Sequence, residues 1–439
     1  MAPKKRKEAT PSELEYDDLV ELASDTEEKG ERYKGGEKAL RFYLKALDLY
    51  NMALKQKPND LDVVFNVSRL RMVLAEMKDP APSPQERTVL LHDSASGFRF
   101  ILATDARNAD VGYMLATTLF AQAESSSDGV MEMLEEASSI LDWVFVVQYE
   151  KFQNDAKERS EISPVVEDAP PQQDMETDEP DMNVYDTAVI EESVTESVLS
   201  QTLTTHAEIL ILAFSTLLNE ELYLKALGLL DRASVICPSD MEVWVRKAEL
   251  VTAKLKITYN VAEAKEALAY LDAVIGRDEK CVEALTDKGD LMWLMGENGA
   301  SVAETRTLWA KAAEAYTAAL ALEPCIVDIA MALADCHLGR MKAYEGENEK
   351  MEKTRSVLAS NAAMYYQRVV NQVPTHGGSY LGFARATSYI VGREEECRKA
   401  LRTLRKMQPW VWSEIEYDDN GVPFSENVKR LEWFKFVCL

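Results

Sequence analysis

The sequence predicts an all-α protein in which pairs of antiparallel helices repeat along most of the chain. Two observations support this fold class. Ala, Leu, Glu and Lys, which are good helix formers, fill the long segments, and residues that favour strands do not cluster. A pattern of small and large residues also recurs with constant internal spacing, and such self-similarity is typical of a repeat architecture.

The recurring pattern consists of a small residue, a large residue four positions later, a small residue three further on and a proline five further on. On a helix, the small residues would let two backbones approach, the large one would fill the gap to the next unit, and proline would end the helix. Four copies follow the pattern most closely: Ala46-Tyr50-Ala53-Pro58, Ala226-Leu230-Ala233-Pro238, Ala312-Tyr316-Ala319-Pro324 and Ala362-Tyr366-Val369-Pro374. Three copies are degraded: Cys397-Leu401-Leu404-Pro409, Ala267-Leu271-Val274-Glu279 and Ser94-Phe98-Ile101-Ala106.

A second signature, a large residue close to a small one, follows several of these copies at a regular offset. Its instances are Leu115-Ala116, Trp244 with Ala248, Leu285 with Gly289, Leu333-Ala334, and Tyr380 with Phe383-Ala384. Together the two signatures resemble the tetratricopeptide repeat (TPR) superfamily, over roughly residues 20–410. The resemblance implies a solenoid of about seven or eight helix pairs, each with a helix A and a helix B. It also implies a protein that binds other proteins.

Changes of composition predict five segments. Residues 1–12 form a basic tail, 13–153 the N-terminal repeats, 154–185 an acidic disordered insertion and 186–409 the C-terminal repeats. The aromatic-rich residues 410–439 are predicted to seal the end of the array, with an exposed anchor for a partner as the alternative. Within the N-terminal repeats, Lys78 to Asp93 is expected to be a loop, because it contains three prolines.

The charge distribution favours a basic protein as the partner. The net charge is −26, and no Lys or Arg occurs from Ser160 through Leu224. Such a field repels nucleic acid and anionic membrane, so neither is an expected partner. The alternative is that the acidic segment is only a solvated linker. The residues predicted to contact the client are Glu167, Asp168, Asp174, Glu176, Asp178, Glu179 and Asp181.

The N-terminal tail contains the basic run Lys4, Lys5, Arg6 and Lys7. Runs of this kind are typical of nuclear localisation signals, because import adaptors bind extended basic peptides. The predicted localisation is therefore nucleus and cytoplasm, and the alternative is a solvated charged terminus.

Nothing in the sequence indicates an enzyme, a cofactor or a metal. Phosphate-binding glycine loops and the H-E-x-x-H motif are absent, and the four histidines lie far apart. The six cysteines include no C-x-x-C pair, and we expect them to be small buried residues. The longest apolar run, Ile209 to Leu218, is too short to span a bilayer, so no membrane association is predicted.

The carboxylate clamp with which some TPR cochaperones hold EEVD tails can be tested on this sequence. Aligned on Gly30 and Tyr33, its positions fall on Glu27, Glu31, Asn66, Asp110 and Met114. Only Asn66 matches, and three positions place an acidic side chain where a carboxylate would bind. Such a clamp in the N-terminal repeats is not expected.

The sequence therefore predicts a non-enzymatic chaperone or escort for a basic client, such as a ribosomal protein or a histone. An acidic segment within a TPR array is similar to the NASP-type histone chaperones, and dedicated chaperones of ribosomal proteins are an equal analogy. The alternative is a structural scaffold subunit of a larger nuclear or cytoplasmic complex. Fold does not decide between them.

Overall fold

The computed structural model describes residues 14–161, 193–344 and 349–407, except for positions 34, 79 and 127. Sixteen helices and no strand occur among these residues. The chain divides into two compact units, Met1–Val243 and Trp244–Leu439. The predicted all-α repeat of about seven or eight helix pairs is confirmed, since the sixteen helices form eight pairs.

Each unit consists of helix pairs in which an odd-numbered helix A precedes an even-numbered helix B. The first unit comprises α1 (Tyr16–Glu31), α2 (Gly36–Gln56), α3 (Leu61–Ala75), α4 (Pro84–Thr104), α5 (Ala109–Ser125), α6 (Val130–Glu161), α7 (Glu196–Leu217) and α8 (Glu220–Ile236). Helix α9 (Glu242–Leu255) begins at the boundary between the units. The second unit continues with α10 (Val261–Arg277), α11 (Val282–Glu297), α12 (Val302–Leu322), α13 (Val327–Lys342), α14 (Glu349–Gln372), α15 (Gly377–Ser388) and α16 (Glu394–Met407). Within each unit, helix B also packs on the following helix A, as α2 does on α3 and α12 does on α13.

The small residues of the recurring pattern lie where the helices of a pair meet. Ala46, Ala233, Ala312 and Ala362 have no exposed surface. The remaining small residues and the large residues of the pattern are also buried: Tyr50, Ala53, Ala226, Tyr316, Ala319 and Tyr366. Each proline lies outside its helix, two residues after the last helical position: Pro58 after α2, Pro238 after α8, Pro324 after α12 and Pro374 after α14.

Close packing also requires glycine in helix A. A Cβ atom at Gly289 in α11 would lie 2.5 Å from the ring carbon Cε1 of Tyr316 in α12. A contact this short is not tolerated between carbon atoms, so a larger residue would push the two helices apart.

The sequence analysis missed one copy of the pattern, which lies in α6. Ala137, Leu141 and Val144 are fully buried and have the same spacing as the other copies. The proline position is occupied by Tyr149, and α6 continues past it to Glu161. The recognised copies that lack the proline differ in this respect, because α4 and α10 end two residues before Ala106 and Glu279.

Two predicted boundaries were wrong. The expected loop from Lys78 to Asp93 ends at Ser83, because Ser83 and Glu86 form a reciprocal capping box and Pro84 occupies the first turn of α4. The predicted insertion begins at residue 154, but α6 remains helical to Glu161. The rest of the insertion, and the predicted tail and aromatic cap, lie outside the described residues.

The repeats on either side of the insertion belong to one unit. Thr202 in α7 donates a hydrogen bond of 2.7 Å from its Oγ1 to Oε1 of Gln148 in α6, and both residues are buried. The hydroxyls of Tyr113 in α5 and Thr205 in α7 are 3.0 Å apart. The chain therefore divides near residue 243 rather than at the insertion.

The cysteines follow the expectation of burial only in part. Cys336 and Cys397 are buried, and burial raises the pKa of their thiols to about 12 and about 11. Cys237 and Cys281 are half-buried, and Cys325 is exposed because it follows Pro324 in the turn after α12. No helix among the described residues is long and apolar enough to cross a membrane.

A buried histidine joins α6 and α7. His206 Nε2 lies 2.7 Å from Ser138 Oγ, and His206 Nδ1 lies 3.7 Å from Asp142 Oδ1. Lys225 in α8 contacts Asp142 Oδ2 at 2.9 Å. Burial, aided by the charge of Lys225, lowers the pKa of His206 to about 4, although Asp142 opposes this shift.

We expect the substitution Ala312→Leu to lower the free energy of unfolding by about 1–3 kcal/mol, because the site has no room for three more carbon atoms. The control is Ala318→Leu in the same helix, where the side chain is exposed. Urea denaturation of the two variants measures the difference. Equal stability of both variants would show that Ala312 does not lie at a tight crossing.

The stability of the first unit should fall as the pH drops from about 6.5 towards 4. The pKa of His206 is lowered in the folded state, so the unfolded chain binds the proton more readily, and protonation favours unfolding. The loss is about 1.4 kcal/mol for each unit of pKa difference. Urea denaturation at neutral and acidic pH measures it.

In the variant His206→Gln this part of the pH dependence should disappear. The exposed His92 provides the control, and His92→Gln should retain the wild-type pH dependence. An unchanged profile in His206→Gln would contradict the assignment.

Candidate protein-binding site

The structure leaves several predicted site residues untested. The basic run Lys4 to Lys7 and the acidic residues from Glu167 to Asp181 lie outside the described residues. The described chain nevertheless contains a concentration of acidic side chains that the sequence analysis did not identify. It lies on helices A of the second unit.

Tyrosines of helix B bind carboxylates of helix A in three repeats. The hydroxyl of Tyr50 donates to Oε2 of Glu27 at 3.2 Å. The hydroxyls of Tyr316 and Tyr366 donate to Asp290 and Asp335 in the same way. The large residue of the repeat pattern thus orients an acidic residue of helix A as well as filling space. In two repeats this acid directly follows the small residue of helix A, as in Gly289-Asp290 and Ala334-Asp335, and this adjacency is a signal that the sequence analysis could have used.

An arginine lies at the centre of the acidic concentration. Arg246 in α9 is buried, with 9% of its surface exposed. Its Nη1 contacts Oε2 of Glu249, one turn along the same helix, at 2.8 Å. Its Nη2 contacts Oε1 of Glu283 in α11 at 2.6 Å. Arg246 therefore joins the helices A of two successive repeats.

A further carboxyl group of α11, that of Asp287, is close to this arginine, and the charge of Asp290 acts on Asp287 in turn. We call Arg246, Glu249, Glu283, Asp287 and Asp290 the Arg246 cluster. Burial raises the pKa of Asp290, while the hydrogen bond from Tyr316 and the charge of Lys256 oppose the shift. The cluster itself sets four carboxyl groups against one guanidinium group.

Within the part of the chain that the structure describes, Asp287 has fewer hydrogen bonds and ion pairs than the other acidic members of the cluster. Its Oδ2 is inaccessible to solvent and has no hydrogen-bond partner among the described residues. The residue as a whole is half-buried, but its carboxyl group is almost completely surrounded by protein. Burial, followed by the charges of Glu249, Glu283 and Asp290, raises the pKa of Asp287 well above its usual range, and the charge of Arg246 opposes this shift.

Aromatic side chains lie one turn further along α11. Trp293 stacks on Trp309 of α12 with ring centroids 4.4 Å apart, and Trp309 Nε1 donates to the carbonyl oxygen of Trp293 at 3.1 Å. In α13, a Cβ atom at Gly339 would lie 2.1 Å from the Trp293 ring. Carboxylates beside aromatic rings suit the recognition of a basic side chain, since rings attract cations over their faces.

In the N-terminal repeats, the first clamp position is occupied by an internal ion pair. Glu27 is buried, and its Oε1 contacts Arg69 Nη2 at 2.5 Å while its Oε2 accepts from Tyr50. The side chain is therefore bound within the protein. Among the described residues, no group of three or more His, Cys, Asp or Glu side chains has an arrangement that could hold a metal ion.

Comparison with known proteins yields limited similarity. No protein-family model matches the chain. A UPF0656 protein of Schizosaccharomyces pombe is 44% identical over 73 residues, which amount to 16% of this chain and 16% of that protein. The aligned part is thus far less than two thirds of the relative.

Two solved structures align with this chain at low sequence identity. A tetratricopeptide repeat protein from Parabacteroides merdae is 10% identical, with a TM-score of 0.48 over 84% of this chain and 98% of its own. MamA protein is 15% identical, with a TM-score of 0.31 over 48% of this chain and 96% of its own. The assignment to a TPR-type architecture depends on the helix pairs and their buried small residues, which are described above.

Proposed function

We propose that this protein is a non-enzymatic binding scaffold that escorts a basic client protein. The observation that carries the proposal is the Arg246 cluster on α9 and α11, where two of the four carboxyl groups contact the guanidinium group and the charges of the other three carboxyl groups act on Asp287. Helices A of successive repeats lie side by side, so they can present a continuous surface to a peptide or helix. A client that adds positive charge there would offset the repulsion between the carboxylates.

The acidic sequence between α6 and α7 supports the same kind of partner. It belongs to the stretch from Ser160 through Leu224, which contains no Lys or Arg. Charges of one sign accelerate encounter with an oppositely charged partner, and they add less to specificity than a shaped surface does. We therefore assign faster association to the acidic segment and specificity to helices A. Ribosomal proteins and histones are the client classes that fit this charge.

The second candidate is a structural scaffold subunit of a larger complex. The observation that favours it is the number of repeats, because eight helix pairs offer surface for more than one partner. A scaffold would be recovered in a stable assembly whose composition does not change with salt. An escort would be recovered with one basic protein in a complex that dissociates as salt screens the charges.

A charge-neutral variant of the acidic segment tests the escort proposal. Glu167, Asp168, Asp174, Glu176, Asp178, Glu179 and Asp181 are replaced by Gln or Asn, which keeps the length of the segment. Pull-down from cells at low and high salt, with identification of the bound proteins by mass spectrometry, should recover one basic protein. The variant should bind this protein more weakly and with a flatter salt dependence, because fewer charges are screened.

A second variant separates charge from length. Residues 162–185 are deleted, and the melting temperature is compared with that of the intact chain. Both variants should keep the wild-type melting temperature and lose binding to a similar extent. If the neutral variant binds the client with wild-type affinity and salt dependence while the deletion does not, the segment acts as a linker. If neither change affects binding, the scaffold function is favoured.

Localisation to the nucleus and the cytoplasm is part of the proposal. Replacing Lys4, Lys5, Arg6 and Lys7 by Ala should shift a fluorescent fusion towards the cytoplasm, because the basic run would no longer engage an import adaptor. The control is the replacement of Lys55 and Lys57, which lie at the end of α2. Unchanged nuclear fluorescence in the first variant would contradict the proposed signal.

A further inference from the structure

We infer that Asp287 forms a subsite for one arginine side chain of a bound polypeptide. The inference rests on the proposed function, because it assigns one contact within the proposed binding surface. It concerns Asp287 Oδ2, which has no hydrogen bond among the described residues. The proposed donor is the guanidinium group of the bound arginine.

A buried carboxyl oxygen that accepts no hydrogen bond destabilises the folded protein. Oδ2 of Asp287 is closed off from solvent and accepts no hydrogen bond within the described chain. A buried polar atom without a partner destabilises a protein, so such atoms are rare and need an explanation. The neighbouring carboxylates do not share this condition, because Glu249 and Glu283 bind Arg246 and Asp290 binds Tyr316.

The charge around Asp287 is mainly negative. The charged groups with the largest effect on its pKa are Glu249 and Arg246 from α9, and Glu283 and Asp290 from α11. Three of these four are acidic, and they outweigh the one guanidinium group among them. A donor that enters from outside must therefore carry positive charge to be favoured over a neutral one.

A guanidinium group suits the site at Asp287 better than an ammonium group. Guanidinium is planar and more weakly hydrated than ammonium, so it loses less free energy when it leaves water. The cluster already binds one such group, because Glu249 and Glu283 hold the guanidinium of Arg246 at 2.8 and 2.6 Å. A second guanidinium could bind Asp287 and reach the half-exposed carboxylate of Glu283, whose side chain is 43% exposed.

Binding of short synthetic peptides to the full-length protein tests this subsite. In the three peptides, arginine, lysine or citrulline alternates with glycine, and binding is measured by fluorescence anisotropy at constant salt. Citrulline has the shape of arginine without its charge. We expect the arginine peptide to bind more tightly than the lysine peptide, and the citrulline peptide to bind weakly.

The decisive variant is Asp287→Asn, with Glu314→Gln as its matched control. Glu314 is exposed on α12 and lies outside the Arg246 cluster, so both substitutions replace one carboxyl group of the second unit by an amide. Asp287→Asn should weaken binding of the arginine peptide about tenfold or more, whereas Glu314→Gln should change it less than about threefold. The citrulline peptide should be insensitive to both substitutions.

A melting curve separates this role from a structural one. Asp287→Asn should melt at or above the wild-type temperature, because it removes a carboxyl group that has little compensation in the free protein. A large fall in the melting temperature would overturn the inference by showing that Asp287 stabilises the fold.

Three further outcomes would also overturn the inference. Equal losses of affinity in Asp287→Asn and Glu314→Gln would leave the proposed function intact and show that only total charge matters. Equal binding of the lysine and arginine peptides, with equal losses in Asp287→Asn, would contradict the choice of guanidinium. If the wild-type protein bound none of the peptides, both the subsite and the acidic surface of the proposed function would fail.

Discussion

The close approach of helix A to helix B is the constraint on which the rest of the structure depends. Alanines such as Ala46 and Ala312 have no exposed surface because the helix backbones meet at these positions. Because the backbones are close, the large side chain one turn after the alanine packs against helix A. Tyr316, for example, lies against the backbone of Gly289, which has no side chain. The hydroxyl at the far end of the ring then reaches a carboxylate of helix A. Packing at the helix crossing thus determines where an acidic side chain of the surface is held.

The part of the fold that depends on local spacing could be predicted from the sequence. Small residues at constant intervals and prolines after helix ends are decided within a few turns of one helix pair, so the helices B of α2, α8, α12 and α14 were identifiable. The copy in α6 was missed because the helix continues past Tyr149, so that no helix end follows the copy at the usual spacing. Helix α4 begins inside the predicted loop because Pro84 occupies its first turn, where a helix tolerates proline.

The candidate site could not be predicted in the same way, because it depends on contacts between repeats. Arg246 and Glu283 belong to different helix pairs, and their sequence positions alone do not show that they are 2.6 Å apart. Nor does the sequence show that Asp287 lacks a hydrogen-bond donor, since lysines and arginines are present nearby in the chain. Composition did indicate an acidic protein with a cationic partner, but it directed attention to the segment between α6 and α7 rather than to helices A.

The position of that segment has a topological consequence. The segment follows the end of α6 and precedes the start of α7. The hydrogen bond between Thr202 and Gln148 joins these two helices. Both ends of the segment are thus tied to one packed pair of helices, so that insertions or deletions in it need not alter the spacing of any repeat. The entropy cost of joining two fixed points by a length of chain changes only slowly with that length, by about 0.6 kcal/mol for each doubling. The length and charge of this segment can therefore change during evolution almost independently of the helix repeats on either side.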